Sequence, residues 1–467
     1  MGFRSLFATS LDAFTSLPVS KRSIQLVLGA GLVLSPVVAQ AQIFNGGGLY
    51  GRAVGGVHID ADGVLRNVAE SSDDLEVARA NLIGATGELA QATNSRLISL
   101  SAIRDLVLKS NSDGTPIPEE AAYLGGLTRV ENIFVYPDRN DIVIAGPAEP
   151  WAIGPNGTVV GTKTGRPVIH LDDLLNALKT VEDARKTGIS VSIEPTPEGS
   201  QRLKRLLSQV RLNGAQVNWA SLEGAMREAF GPQQVLLNGV SPNSHMARVI
   251  LAADYKMKLY GMNLAEAPVA GLPSYLEMVR SSSSRNLQSR WWMAADYDSI
   301  EHSKDRTAWK LNGRGIKTMT EEEHMLADGT YKSKGKADAV AQKWADLFTS
   351  KLDQLAVKEP VFGELRNIMD LCVVAAIIES YDLQSLAQCD LKSLVGDSSQ
   401  VNLIDVQFPK SLDPQCSFVQ TAQGFLVSAS GGVEVNSWLE ASKAVESDKL
   451  AAIESGKQWK DSSRIWQ

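Results

Sequence analysis

Side chains that could carry chemistry are concentrated in the segment GVSPNSHMARVILAADYKMK, residues 239–258, where a predicted strand leads into a predicted helix. Unpaired N–H groups at a helix start bind anions and can position nucleophiles. One of the two serines with the histidine could serve nucleophilic catalysis, or an anionic ligand could bind at the helix start. The candidate side chains are Ser241, Ser244, His245, Arg248, Tyr255 and Lys256.

A simpler interpretation of this segment is a capped helix without chemistry. Ser241 or Asn243 would be the cap, and Asp254 would pair with Lys258 four residues later. Adjacent residues of a helix do not face each other, which weakens a nucleophile pair formed by Ser244 and its neighbour. We therefore prefer the structural interpretation.

A second candidate group combines tryptophans with carboxylates. Its members are Trp291, Trp292, Trp309, Asp296, Asp298 and Glu301. Tryptophan faces with nearby carboxylates suit sugar rings, and a carboxylate pair can hydrolyse a glycosidic bond. Successive side chains of a strand point to opposite faces, so we expect at least one of Trp291 and Trp292 in the core. Core packing is the preferred interpretation.

The histidines have no metal-ligand spacing. No two of them are four residues apart or otherwise close along the chain: His58, His170, His245, His302 and His324. The sequence also lacks H-E-x-x-H, G-x-S-x-G, P-loop and paired C-x-x-C motifs. We therefore predict neither a metal site nor a cofactor, and we favour a protein that is not an enzyme.

Three cysteines do not form a disulfide scaffold. Cys372 lies in an apolar helical pattern, which predicts a buried and inert thiol. Cys389 and Cys416 could form a disulfide or stay unpaired, because spacing alone does not supply the geometry of the bond.

The elements that must position these groups predict an α+β fold. Turn residues between β-rich runs predict hairpins at residues 55–65, 132–145, 151–161 and 417–435. Residues 70–110 are mostly helical in pattern. A further helix should have Asp172 or Asp173 as its cap and end before Gly188. We expect a mixed sheet covered by helices, with a helical C-terminal part.

Four regions follow from this pattern. They are a signal peptide (1–41), a glycine-rich lead-in with a helical N-terminal region (42–115), a mixed α/β core (116–330), and a helical region with a C-terminal hairpin that packs on the core (331–467).

The N-terminal region predicts export. Lys21-Arg22 precedes an apolar run, residues 24–38, and then Ala39-Gln40-Ala41. These are the three parts of a secretory signal, and the run is shorter than the roughly 20 residues that span a bilayer. We expect cleavage between Ala41 and Gln42, and a periplasmic or extracellular protein. The alternative is an uncleaved membrane anchor.

Charge limits the partners of the mature protein. Cleavage removes three basic residues and one acidic residue, so the formal charge changes from −7 to −9. An acidic chain without a basic block has no electrostatic footprint for nucleic acid, and anionic membrane surfaces repel it. No later apolar stretch approaches membrane length. A protein or another component of the cell envelope is the expected partner.

Several segments resemble a family of exported bacterial proteins that carry a domain of unknown function. They include YPDRNDIVIAGPAEPW, GRPVIHLDDLLNAL, GVSPNSHMARVILAADYKMKLYGM and PVFGELRNIMDLCVVAAIIES, in order over roughly residues 120–435. The resemblance implies export and a mixed region inherited as one unit. It implies no activity, cofactor or site residue.

The sequence therefore favours a non-enzymatic structural or interaction module of the cell envelope. The first alternative is an exported hydrolase of polysaccharide, peptide or ester. The second is a protein that binds a glycan or another small molecule.

Overall fold

The computed structural model describes residues 53–54, 57–59, 65–67, 72–209, 219–280, 289–325, 331–333, 335–396, 408–414, 418–421, 424–427, 431–450 and 464–467. They belong to one unit, Ile43–Gln467. The expected cleavage residues Ala39, Ala41 and Gln42, and the expected disulfide partner Cys416, lie outside the described residues.

Helices and strands alternate along the chain. The α-helices are α1 (Ser72–Asn81), α2 (Leu100–Asp113), α3 (Glu119–Ala122), α4 (Leu171–Thr187), α5 (Pro197–Gln209), α6 (Trp219–Phe230), α7 (His245–Gly261), α8 (Tyr275–Arg280), α9 (Ala339–Lys358), α10 (Val361–Ser380), α11 (Leu383–Ala387) and α12 (Ser437–Ser442). Short 3-10 helices span Gly87–Ala90, Leu124–Gly126, Pro137–Arg139 and Lys392–Leu394.

The strands are β1 (Ala53–Val54), β2 (Val57–Ile59), β3 (Leu65–Asn67), β4 (Thr93–Ser99), β5 (Asn132–Tyr136), β6 (Asp141–Ala148), β7 (Trp151–Ile153), β8 (Val159–Gly161), β9 (Ile189–Pro195), β10 (Gln233–Asn238), β11 (Ser289–Asp296), β12 (Ser299–His302), β13 (Ala308–Asn312), β14 (Gly315–Met325), β15 (Tyr331–Ser333), β16 (Ser411–Leu412), β17 (Phe418–Thr421), β18 (Gly424–Val427), β19 (Gly431–Val435) and β20 (Val445–Glu446).

Two larger sheets organise these strands. One has seven strands in the order β15-β14-β11-β19-β9-β10-β16, and the other has six in the order β20-β12-β13-β5-β6-β4. Neighbouring strands are antiparallel except for the pairs β11–β19 and β12–β20. Because helices occur together with mixed sheets in which most strand pairs are antiparallel, the α+β class is confirmed.

Helices cover the seven-stranded sheet and meet at α10. Helix α7 packs on β9 and β19, α9 packs on β14, and α10 contacts α4, α7, α9 and α12. Residues 361–378 of α10 are all buried because this helix is apolar on nearly every side. None of the helices among the described residues is both long enough and apolar enough to cross a bilayer.

Local turn chemistry predicts most of the hairpins correctly. The pairs β2–β3, β5–β6 and β7–β8 are antiparallel, and they lie in three of the four predicted hairpins. The fourth prediction is wrong in its extent. β17 pairs with β18, but β19 leaves the hairpin and joins β9 and β11 in the large sheet, because its apolar side chains are buried there.

Two helix predictions also need correction. Residues 70–110 contain strand β4 between α1 and α2, so Leu97 lies in a sheet. Helix α4 begins at Leu171, not after an Asp cap. His170 occupies the cap position without a side-chain cap bond, and the two aspartates lie in the first turn. Gly188 ends the helix as predicted, at φ +68°.

Candidate functional site

The central helix α10 carries polar side chains inside the protein core. Glu364, Arg366, Asn367 and Asp370 are each at most 4% exposed. At about 100° per residue, they lie within an arc of about 160° on the helix. A buried polar or charged group is unfavourable without partners. The chemistry available in this part of the core therefore depends on the side chains that contact these four residues.

Three helices begin beside the arc. The first turns of α4, α7 and α10 contain Asp173, His245 and Glu364, and His170 directly precedes α4. Helix N-termini carry a partial positive charge that stabilises nearby carboxylates. Their convergence therefore favours negative charge in a place where burial opposes it.

The His245 imidazole lies between two carboxylates. Its Nδ1 is 3.1 Å and 3.0 Å from the two oxygens of Asp173, and its Nε2 is 3.8 Å from Oε1 of Glu364. The His170 ring stacks on the His245 ring with 4.8 Å between centroids and 20° between planes. Residues from three distant parts of the chain thus form one cluster.

Burial and neighbouring charges set the protonation of the cluster. Burial raises the pKa of Glu364 to about 7, although His245 and Arg248 oppose the rise. Burial alone would lower the pKa of His245, but Asp173 outweighs burial and raises it above its ordinary value. Burial and the charge of His245 lower the pKa of His170 to about 3, so His170 is neutral near pH 7.

Arg248, one turn into α7, completes the cluster. Its Nε and Nη2 atoms are buried and have no hydrogen-bond partner among the described residues, and the same holds for Oε2 of Glu364. Burial lowers the Arg248 pKa to about 10, while Glu364 and Asp173 oppose the change. Nε and Nη2 form one edge of the guanidinium group, the edge that can donate two parallel hydrogen bonds to a carboxylate or phosphate.

The cluster keeps a small solvent-exposed fraction. Its five side chains are 4–7% exposed: His170, Asp173, His245, Arg248 and Glu364. Their neighbours Leu174 and Val249 are 0% exposed. The five polar residues are therefore almost completely buried, and the apolar residues beside them are completely buried.

A metal ion fits this arrangement less well than its residue types suggest. One atom from each of His170, Asp173 and His245 lies within 4.8 Å of the others. However, an imidazole nitrogen binds an ion close to the plane of its ring, and two nearly parallel stacked rings cannot both place one ion in their planes. The helix N-termini and Arg248 also oppose a cation. The cluster is better described as a hydrogen-bonded carboxylate, histidine and arginine site.

Of the two predicted serine candidates, Ser244 binds backbone groups with its hydroxyl, and Ser241 contributes its main-chain carbonyl. Ser244 is the N-cap of α7: its Oγ accepts from the Ala247 N–H (3.1 Å) and donates to the Ser241 carbonyl (2.7 Å). The cap is therefore Ser244, not Ser241 or Asn243. The predicted Asp254–Lys258 pair is confirmed, with 3.0 Å between Oδ2 and Nζ in a fully buried environment.

The structure brings His245 and Arg248 together but leaves Tyr255 and Lys256 elsewhere. Lys256 Nζ lies 3.4 Å from Glu359, which also accepts a hydrogen bond from the Tyr260 hydroxyl. Tyr255 is buried, and burial raises its pKa. These side chains lie two to three turns further along α7.

The tryptophan group is mainly core. Trp291 is 0% exposed and packs against the rings of Tyr275 and Trp344, at 4.7 Å and 5.0 Å between centroids. Trp309 is also 0% exposed and donates from Nε1 to the Arg306 carbonyl. Trp292 points to the other face of β11 and is partly exposed, with the Arg290 guanidinium 5.4 Å from its ring.

The carboxylates near the tryptophans lie at the ends of strands. Asp296 is 3.1 Å from Lys317, and Asp298 is exposed. Glu301 accepts hydrogen bonds from Ser299 and Asn312, at 3.0 Å and 3.3 Å. These neighbours link adjacent strands across β12 and β13.

The sequence interpretation missed His170, Asp173 and Glu364. Two signals were available. His170 and Asp173 are three residues apart at a helix start, a spacing that places side chains on one face. Glu364, Asn367 and Asp370 repeat every three residues, with Arg366 between them, in a helix whose other residues up to position 378 are apolar or glycine. Such a helix is buried, so its polar residues must face partners.

Part of the chain matches a known family. Residues 191–275 match the family model described as Protein of unknown function (DUF1598). The predicted resemblance to a family with a domain of unknown function is confirmed over this range, which runs from β9 to the start of α8 and includes His245 and Arg248. No curated protein and no solved structure matches the chain.

Proposed function

We propose that this protein binds a small anion, a carboxylate or a phosphate, at the cluster of Asp173, His245, Arg248 and Glu364. The observation that carries the proposal is Arg248. Its guanidinium is buried, and the Nε–Nη2 edge has no hydrogen-bond partner among the described residues. Two oxygens of a carboxylate or phosphate match that edge, and such charge-assisted pairs are about twice as strong as neutral hydrogen bonds.

The charges of the cluster support a single negative ligand. Asp173 compensates the charge of His245. Burial and the charge of Asp173 raise the pKa of the adjacent Asp172 to about 6, and with Asp172 and Glu364 both protonated Arg248 is the excess positive charge. A monoanion would neutralise that charge, and the protonated Glu364 could donate a further hydrogen bond to it. Once Glu364 ionises, near pH 7, its charge opposes the ligand. Binding therefore takes up a proton and weakens as the pH rises through about 7.

Calorimetric titration with sodium acetate and with inorganic phosphate tests the proposal. We expect saturable binding, and a loss of at least about tenfold in affinity in Arg248→Met, since one charge-assisted hydrogen bond contributes about 1.5–3 kcal/mol. Arg227→Met is the matched control, because Arg227 forms an exposed pair with Glu223 on α6. Wild-type protein that binds neither anion, or equal affinity in Arg248→Met, would overturn the proposal.

A metal arm separates the two chemistries of the cluster. One outcome is that the protein binds Zn²⁺ and no anion, and that His170→Gln abolishes the Zn²⁺ binding. That outcome would mean that the cluster is a metal site and not an anion site. We expect instead that Zn²⁺ does not compete with acetate.

Acid–base hydrolysis is the second candidate function. The contact between Asp173 and His245 has the form of the pair that orients a catalytic histidine. The hydroxyl of Ser244 is occupied by the helix cap, so water would be the nucleophile. Turnover of p-nitrophenyl acetate that disappears in His245→Gln but persists in Ser244→Ala would favour this candidate over simple binding.

We also propose that the protein binds its ligand after export, in the periplasm or outside the cell. The basic pair, the short apolar run and the A-x-A sequence support this location. Mass spectrometry of the protein from a periplasmic extract should give Gln42 as the first residue. Intact Met1 in a cytosolic fraction would refute it. An envelope partner stays a prediction.

A further inference from the structure

A second group of arginines lies on the other side of the polar arc of α10. Its members are Arg129, Arg166 and Arg366, with the carboxylates of Asp353 and Asp370. Three guanidinium groups meet these two carboxylates, and Glu131 adds a further negative charge near Arg129. It lies where α9 and α10 meet the turn between β13 and β14, away from His245.

Both carboxylate oxygens of Asp370 accept hydrogen bonds from Arg129. Arg129 donates to its two oxygens from Nε and Nη2, at 3.0 Å each, and donates from Nη1 to the Gly313 carbonyl. The Tyr297 hydroxyl adds a bond of 2.8 Å to Asp370. Although burial lowers the pKa of Arg129, Asp370 outweighs burial and raises it. This pair therefore has no acceptor left for Arg366.

Arg366 has only part of its hydrogen-bond capacity used. Nη1 donates to Asp353 at 3.1 Å, whereas the buried Nε and Nη2 have no partner in the part of the chain that the structure describes. Arg366 is 4% exposed. Burial and the charge of Arg129 lower its pKa. The aliphatic stem of Arg366 and the guanidinium group of Arg129 both pass Gly315, where a methyl group would lie 2.8 Å from Cγ of Arg366 and 3.1 Å from Nη2 of Arg129.

The group reaches the surface through Asp353 and Arg166. The side chain of Asp353 is 60% exposed and that of Arg166 is 34% exposed, and they lie 3.4 Å apart. Asp353 thus extends from the solvent side and binds two arginines with one carboxylate oxygen. Asp353 reaches Nη1 of Arg366, and the Nε–Nη2 edge belongs to the same planar group.

We infer that Arg366, with Arg166, forms a second anion-binding site that takes a carboxylate on the Nε–Nη2 edge of Arg366. The chemistry is bidentate recognition of two coplanar oxygens. The site is independent of the cluster at Arg248, because it uses a different face of α10 and different partners. Asp353 competes with the ligand, since its charge lies on the same guanidinium group.

The Nε–Hε resonances of the two arginines report directly on the two edges. We would label the full-length mature protein with ¹⁵N-arginine and assign the two resonances by their loss in Arg248→Met and Arg366→Met. During titration with sodium acetate, both resonances should shift in wild-type protein. In Arg248→Met, the Arg366 resonance should still shift, with an unchanged dissociation constant.

Asp353→Asn tests the competition without disturbing the core, because this side chain is largely exposed. It should tighten acetate binding at Arg366 about fivefold, the effect of removing one charge near a partly hydrated site, and leave the Arg248 resonance unaffected. Asp346→Asn, which removes one negative charge from an exposed position of the same helix, is the matched control.

The outcomes distinguish the two sites. An Arg366 resonance that does not move with acetate, in wild-type and Asp353→Asn proteins alike, overturns the second site even where Arg248 responds. An Arg248 resonance that does not move, with a responding Arg366, overturns the first proposal and supports the second. If Arg366→Met does not fold, assignment by Arg366→Lys and the Asp353→Asn titration still decide the result.

Discussion

Replacing Glu364 by Gln should make the protein more stable at neutral and alkaline pH. Glu364 is buried at the start of α10, and burial raises its pKa from an ordinary 4.5 to about 7. Glutamine has nearly the shape of the protonated acid and does not ionise. The substitution therefore removes the unfavourable ionisation of a buried carboxyl and little else.

The size and sign follow from proton linkage. Between about pH 4.5 and about pH 7, the folded protein holds a proton on Glu364 that the unfolded chain has released. Stability from this group is therefore complete at low pH and is lost as the pH rises through the folded pKa. The gap between 4.5 and about 7 corresponds to about 3 kcal/mol. Relative to wild type, Glu364→Gln should gain about 3 kcal/mol between about pH 4 and about pH 8.

Urea unfolding followed by tryptophan fluorescence measures the free energy of unfolding of both proteins at each pH. The difference between the two reports Glu364 together with its coupling to His245 and Arg248, whose pKa values respond to its charge. The other titratable groups around it are present in both proteins: His170, Asp172 and Asp173. Glu223→Gln, on the surface of α6, is the control for replacing an exposed carboxylate by an amide.

The prediction is refuted if the difference in the free energy of unfolding between Glu364→Gln and wild type is independent of pH or decreases as the pH rises. Either result would mean that folding does not raise the pKa of Glu364, because His245 and Arg248 offset its burial. It would also remove the protonated donor that the proposed anion site uses. A constant offset that is added to the expected rise reflects only the amide, so the slope with pH is the test.

Three further predictions concern the core. Lys258→Met should lose about 3–5 kcal/mol in urea unfolding, because Nζ donates to Asp254 and to the carbonyls of Ile193 and Gly431; adding Asp254→Leu should recover most of the loss, and a single change that loses less than about 1 kcal/mol would contradict the argument. Gly431→Ala should lower the melting temperature strongly, since φ is +147° and a methyl group would lie 1.8 Å from the Trp291 carbonyl oxygen; a melting temperature like that of wild type would show that β19 does not pack as described. Cys372 should resist dithiobis(nitrobenzoate) until urea unfolds the protein, because burial raises its thiol pKa to about 12; peptide mapping that finds it modified in the native protein would refute this burial.

Local patterns predicted the elements well and their long-range partners poorly. The turn Pro137–Asn140 and the residue Gly188 end their elements as expected, because turn and cap geometry depends on a few adjacent residues. In contrast, the local pattern predicts that the segment GGVEV forms a hairpin with the strand before it. It pairs with β9 and β11 instead, since the burial of Val433 and Val435 depends on the whole sheet.

By itself, the sequence determined an α+β protein of hairpins and apolar helices, with polar residues at the start of α7 that include His245 and Arg248. These features depend on periodicity, turn residues and capping, which act over a few residues. Only the tertiary structure decided that His170, Asp173 and Glu364 join them, because the packing of α4, α7 and α10 brings three helix starts together from distant parts of the chain. The same packing leaves the Nε–Nη2 edges of Arg248 and Arg366 without acceptors among the described residues, and these buried donors could not be inferred from spacing along the chain.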